Sequence, residues 1–184
     1  AFEIIELFRN FWFRGQSDKN WSSTSTLERE AEIFGIKKEE LWDREQVMLK
    51  LFKERAHLYT DSQDIPKNEF EWLALVRHYC GPSRLLDVTS SFLIATYFAI
   101  FDLDKSRDSS VWAFNDFEFS CLNKSDLSME NRKKEICIIK PDRTNVRLNA
   151  QNGAFIVPFY LEKSIEEQIS RKFETNFSTL KEYK

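Results

Sequence analysis

The chain has 184 residues, 42% of them hydrophobic and 15% aromatic, with a net charge of −3. That is enough apolar material for one packed core, and 17 phenylalanines exclude a disordered segment. The acidic balance excludes coating of nucleic acid by bulk charge, and four glycines with four prolines favour long elements over a turn-dense barrel.

Residues 1–10, "AFEIIELFRN", carry Phe2, Ile5 and Phe8 on one stripe and predict an amphipathic helix. The chain opens here without Met, as expected of a single domain cut from a longer protein. "FWFRGQ" (11–16) switches to period two and predicts a strand. Phe11, Phe13 and Gly15 then share one face, and Trp12, Arg14 and Gln16 the other. A polar loop (17–26) follows. From Glu39 to Tyr59 the spacing is helical, with Glu45 on the apolar stripe. Phe70 to Cys80 predicts a second helix, stopped by Gly81, the expected left-handed residue, and Pro82.

"SRLLDV" (83–88) predicts a short strand. "TSS" (89–91) supplies hydroxyls to cap the helix "FLIATYFAIFD". Residues 109–116, 134–141 and 153–160 predict further strands, with 117–133 as loop and Pro158 at a strand end. A terminal helix follows. Helices first, then strands around one helix, predict an α+β fold.

No apolar run reaches the roughly 18 residues of a membrane span, and no signal peptide is visible. Cys80, Cys121 and Cys137 lack CxxC spacing, so three idle thiols in a reducing cytoplasm are expected, with no disulfide framework and no metal. The run "NRKK" (131–134) with Arg143 and Arg147 reads as a solvated loop, with a local basic patch as the alternative.

Four polar clusters are candidates for chemistry. Arg14, Gly15 and Gln16 combine close backbone approach with a guanidinium fork suited to phosphate. Alternatively, Arg14 pairs with a buried carboxylate. His78, Arg84, Asp87, Thr89 and Ser90 crowd one helix end and one strand, where Asp87 pairing with Arg84 is the plain alternative. Arg147, Asn149, Gln151 and Asn152 precede the strand opened by Gly153. Glu45, on an apolar stripe, requires a partner or a raised pKa, and an ion pair with an arginine is the favoured reading. Gly-rich phosphate loops, paired zinc ligands and nucleophile elbows are absent from the sequence.

Three blocks resemble the FRG-domain family, named for Phe-Arg-Gly. They are "FRGQSDKNW" (13–21), "RHYCGPSRLLDVTSSFLIATYFA" (77–99) and "RLNAQNGAF" (147–155). The central block is similar to QH-x-G-x-P-[ST]-R-L-L-D-W-T followed by a helix with A-x-x-F-A. Here Arg77 replaces Gln, Cys80-Gly81 replaces the usual residues before Pro82, and Val88 replaces Trp. A more distant resemblance is to ADP-ribosyltransferases, which place an aromatic-Arg-Gly strand, a hydroxyl strand and a final strand in this order. It implies an antiparallel split sheet flanked by helices, with NAD as substrate.

The implied residues are Arg14 on the phosphates or ribose, with Gly15, Gln16, His78, Thr89 and Ser90 around it. Gln151 touches the ribose, and Arg84 with Asp87 braces the hydroxyl strand. Arg14, Asp87 and Gln151 would carry catalysis. The implied activity is transfer to a protein or nucleic-acid acceptor, or NAD hydrolysis, as in an effector or toxin domain. The final strand has no Glu, so the carboxylate must be Asp87 or Glu45. Two alternatives stay open: a non-catalytic module for a nucleotide, nucleic acid or phosphorylated partner, and a motif that is only a folding device.

Overall fold

A period-two strand whose one face is aromatic needs something flat and apolar against it, and this chain supplies a helix with small residues. The computed structural model describes residues 10–58, 65–101, 107–119, 136–141 and 151–170. The strands are β1 (Phe11–Gln16), β2 (Leu86–Thr89), β3 (Ser110–Asn115), β4 (Ile136–Ile139) and β5 (Gly153–Pro158). The helices are α1 (Thr26–Ile33), α2 (Leu41–Ala56, preceded by a 3-10 turn Lys38–Glu40), α3 (Glu69–His78), α4 (Phe92–Ile100) and α5 (Asp116–Phe119). Residues 165–170 are also helical. The fold is α+β, with one five-stranded sheet of order β3-β1-β2-β5-β4. β1 is antiparallel to both β2 and β3.

The chain forms two compact units, 1–22 with 87–122 and 137–156, and 23–86 with 123–136 and 157–184. In the first, Phe11, Phe13 and Gly15 pair with Asn115, Ala113 and Val111, so these six share a face. Phe13 is buried and meets Phe92 of α4 edge-to-face at 5.6 Å between centroids. Trp12, Arg14 and Gln16 lie on the other face with Phe114, Trp112 and Ser110. The predicted division of the strand into two faces is therefore correct.

In the second unit Leu27, Ala31, Leu41 and Leu161 form a core against which Ile36 and Trp42 pack. α1 was not expected. Its Ser25 accepts from the Glu28 N–H at 3.2 Å while the Glu28 carboxylate accepts from the Ser25 N–H at 2.6 Å, a reciprocal capping box. The end of α3 also differs from expectation. Cys80, not Gly81, is the left-handed residue, at φ 60°. Gly81 is small for another reason: a Cβ there would lie 2.7 Å from Val76 Cγ1. The second strand runs from Leu86, not Ser83, because Ser83 and Arg84 are held by side-chain partners described below.

Cys80 is exposed and free, whereas Cys137, buried in β4, is disulfide-bonded. This corrects the expectation of three idle thiols: pairing follows Cβ geometry in the fold, not spacing along the chain. It also removes cysteine usage as an argument for a reducing compartment. No described helix is long and apolar enough to cross a membrane. The predicted loop is corrected at its start, since 117–119 are helical in α5. Residues 1–9 of the first predicted helix, the rest of that loop, "NRKK", Arg143, Arg147, Asn149, Cys121 and the predicted terminal helix beyond residue 170 lie outside the described residues.

Candidate functional site

The first unit gathers Arg14, Asp87, Thr89, Ser90 and Gln151 around β2. Phe13 pairs with Thr89 across β1 and β2, so Thr89 shares the face of Phe13 and Arg14 starts from the other. The Arg14 guanidinium donates through Nη1 to the Asp87 backbone carbonyl at 2.9 Å. Thr89 Oγ1 donates to the Gln151 carbonyl at 2.6 Å and accepts from the Ser91 N–H at 3.0 Å. Ser90 donates its N–H to the Asn152 carbonyl at 3.1 Å. Asn152 is left-handed, at φ 46°, which turns the chain into β5. Ser91 then accepts from the Ile94 N–H and starts α4.

The consequence is a chain of backbone ties. Arg14 binds the first sequence block to the second, and Thr89 binds the second to the third. The Gln151 side chain is half-buried and Ser90 is exposed. Both therefore lie within reach of solvent at the end of β2.

Two neighbours expected to touch a cofactor are frame instead. Gln16 is buried, and its amide donates to the Trp21 carbonyl at 3.2 Å and to the Ser22 carbonyl at 3.4 Å, while its oxygen accepts from Trp112 Nε1 at 2.5 Å. Both of its N–H donors are used. It anchors the loop after β1, which Asp18 tightens by accepting from the Asn20 N–H at 2.9 Å. Gly15 admits close approach, but of α4: a Cβ there would lie 1.9 Å from the Ala95 carbonyl oxygen and 2.7 Å from the Ala99 nitrogen.

The second unit contains Glu45, Arg84 and His78. Glu45 and Arg84 are both fully buried. Arg84 donates to Glu45 Oε2 through Nε at 2.5 Å and also through Nη2, and its backbone N–H reaches Oε1 at 3.3 Å. Its guanidinium lies 4.2 Å from the Trp42 ring centre, and Nη2 is 3.8 Å from Glu69. Ser83, next in line, accepts from the Leu85 N–H and exchanges hydrogen bonds with Thr26 at 3.0 and 3.1 Å. The favoured reading of Glu45 is correct: it pairs with an arginine. The expected Arg84–Asp87 brace is corrected, because Arg84 spends its fork on Glu45. The pair ties α2 to the 83–84 segment. His78 is exposed at the end of α3, its ring against Tyr79 at 5.1 Å.

Residues 9–108, more than half the chain, match the family described as FRG domain. No curated protein and no solved structure matches the chain.

Proposed function

The chain belongs to the FRG-domain family, and from that premise we propose that it is an ADP-ribosyltransferase-like domain that takes NAD at the end of β2. One observation carries the reading. Three motif blocks far apart in sequence meet at one four-residue strand, through Arg14 on Asp87 and Thr89 on Gln151. A merely solvated set of polar residues has no reason to converge.

In this reading Arg14 faces the phosphates, while Ser90 and the Gln151 amide hold ribose hydroxyls. Thr89 positions Gln151 and does not itself face the ligand, since its hydroxyl already donates and accepts. Gly15, Gln16 and Arg84 belong to the frame. Glu45 is neutralised by Arg84, which leaves Asp87 as the carboxylate. The bond between nicotinamide nitrogen and ribose C1′ breaks with its electron pair leaving on nicotinamide. The ribose passes through an oxocarbenium-like state that a carboxylate steadies. A protein or nucleic-acid nucleophile, or water, then bonds to C1′ and loses its proton.

A second reading is favoured by Gln151 itself. A neutral amide at the start of β5 binds a hydroxyl but offers no charge to a developing cation, which suits a module that binds nucleotide without turnover. Nicotinamide release from NAD separates the two. The first reading expects release by the unmodified chain and a loss of at least about 100-fold in Asp87→Asn. No release with any acceptor, together with thermal protection by NAD, favours binding alone.

A further inference from the structure

We propose that the outer face of α4 is the contact surface for a second copy of this chain. From Phe92 to Phe101 there is no charged residue, and a helix that is apolar all round is ordinarily buried. Here Ala95 and Ala99 alone among these ten are buried, on the side that meets Gly15. Leu93, Tyr97, Ile100 and Phe101 are 72%, 52%, 54% and 69% exposed. They stand at i, i+4, i+7 and i+8, the spacing of a helix–helix seam, and face away from the alanines.

The area matches a dimer. Counting Phe98 at its flank, also exposed, and roughly 150–250 Å² for each fully exposed aromatic, the face offers on the order of 500 Å² of apolar surface. That lies in the upper part of the range, about 300–600 Å², of the largest patch on a typical monomer. Two copies face to face bury on the order of 1,000 Å², about what a biological interface must clear. A face without charge carries none of the electrostatic complementarity that selects a different partner. A two-fold axis near Tyr97 makes it self-complementary, with Leu93 of one copy against Phe101 of the partner subunit.

Sedimentation equilibrium of the 184-residue chain from about 1 to 200 μM tests this, the range in which a modest interface assembles. The expected mass rises from 21.9 kDa towards twice that value. Leu93→Glu weakens the dimer at least about 30-fold, with an unchanged melting temperature at concentrations where the parent chain is monomeric. Ile100→Lys repeats the test if Leu93→Glu fails to fold. A Tyr97→Cys chain in a Cys80→Ser background cross-links to a dimer on oxidation. A mass fixed at 21.9 kDa overturns the proposal, as does a dimer indifferent to both charged variants. If the monomer's α4 amides lose exchange protection when residues 1–9 are removed, the chain's own leading segment covers the face and the proposal fails. It fails equally if the monomer instead sediments with neutral phosphatidylcholine vesicles.

Discussion

Gly15 of β1 lies so close to Ala95 of α4 that a Cβ on the glycine would stand 1.9 Å from the Ala95 carbonyl oxygen. The glycine of the name motif and the alanines of A-x-x-F-A are thus two halves of one contact. Backbone, not a flexible side chain, is in the way. Gly15→Ala therefore forces β1 and α4 apart. The expected loss is about 3 kcal/mol or more, seen as a lower urea midpoint. An unchanged midpoint would show that the contact is slack. Ala95→Gly is not expected to rescue it, because the obstacle is the carbonyl.

Glu45 and Arg84 form a fully buried pair, so removing one partner strands the other. Arg84→Met and Glu45→Leu are each expected to cost about 3–5 kcal/mol. The double variant Glu45→Leu with Arg84→Met is expected to recover much of that, since neither charge is then left alone. Chemical denaturation of the four proteins checks the cycle, and simple additivity would contradict the pairing.

Cys80 holds φ 60° at a position where the family pattern has glycine. A residue with a Cβ costs roughly 1–2 kcal/mol in that conformation, partly offset by the extra freedom glycine has when unfolded. Cys80→Gly is expected to raise stability by about 0.5–1 kcal/mol, read from the thermal midpoint. A lower midpoint would mean that the cysteine side chain packs.

Lys19 and Asp108 meet at 2.7 Å on the surface. The lysine holds the Asp108 carboxyl below its usual range by hydrogen bond and charge, and Asp108 raises the Lys19 ammonium in return. The Asp108 contribution is present above the usual carboxylate range and is lost as pH falls through the lowered value. The Lys19 contribution is present below the usual lysine range and is lost as pH rises through the raised value. Titrating the Asp108 carboxyl carbon by NMR is expected to show a midpoint that moves up in Lys19→Met and in high salt. A midpoint that moves in neither case would contradict the pair.

The readability of this sequence was uneven, and the reasons are local. β1 was legible because alternating rings leave no other period, and Glu45 because a carboxylate on an apolar stripe demands a partner. The partner itself was not legible, since Arg84 lies 39 positions from Glu45 and had Asp87 much nearer to it in sequence. α1 carried its signals, Ser25 with Glu28 and Gly35 beyond the end, but Ser25 and Thr26 fall in what reads as a polar loop (17–26), and residues 27–38 have no element of their own in that reading. β2 starts later than its hydrophobic content suggests because Ser83 and Arg84 are claimed by tertiary partners. Gln16 looked like a ligand group and is a loop anchor, which only its three hydrogen bonds reveal.

The central claim is that the meeting of Arg14, Asp87, Thr89 and Gln151 is a nucleotide site. Calorimetric titration of the 184-residue chain with NAD tests it most directly. Saturable binding of one NAD per chain is expected, weakened at least about 10-fold in Arg14→Lys and in Gln151→Ala while each apo variant stays folded, Arg14→Lys losing only the stability of about one hydrogen bond. Absence of binding heat at millimolar NAD, or affinity unchanged in both variants, would contradict it.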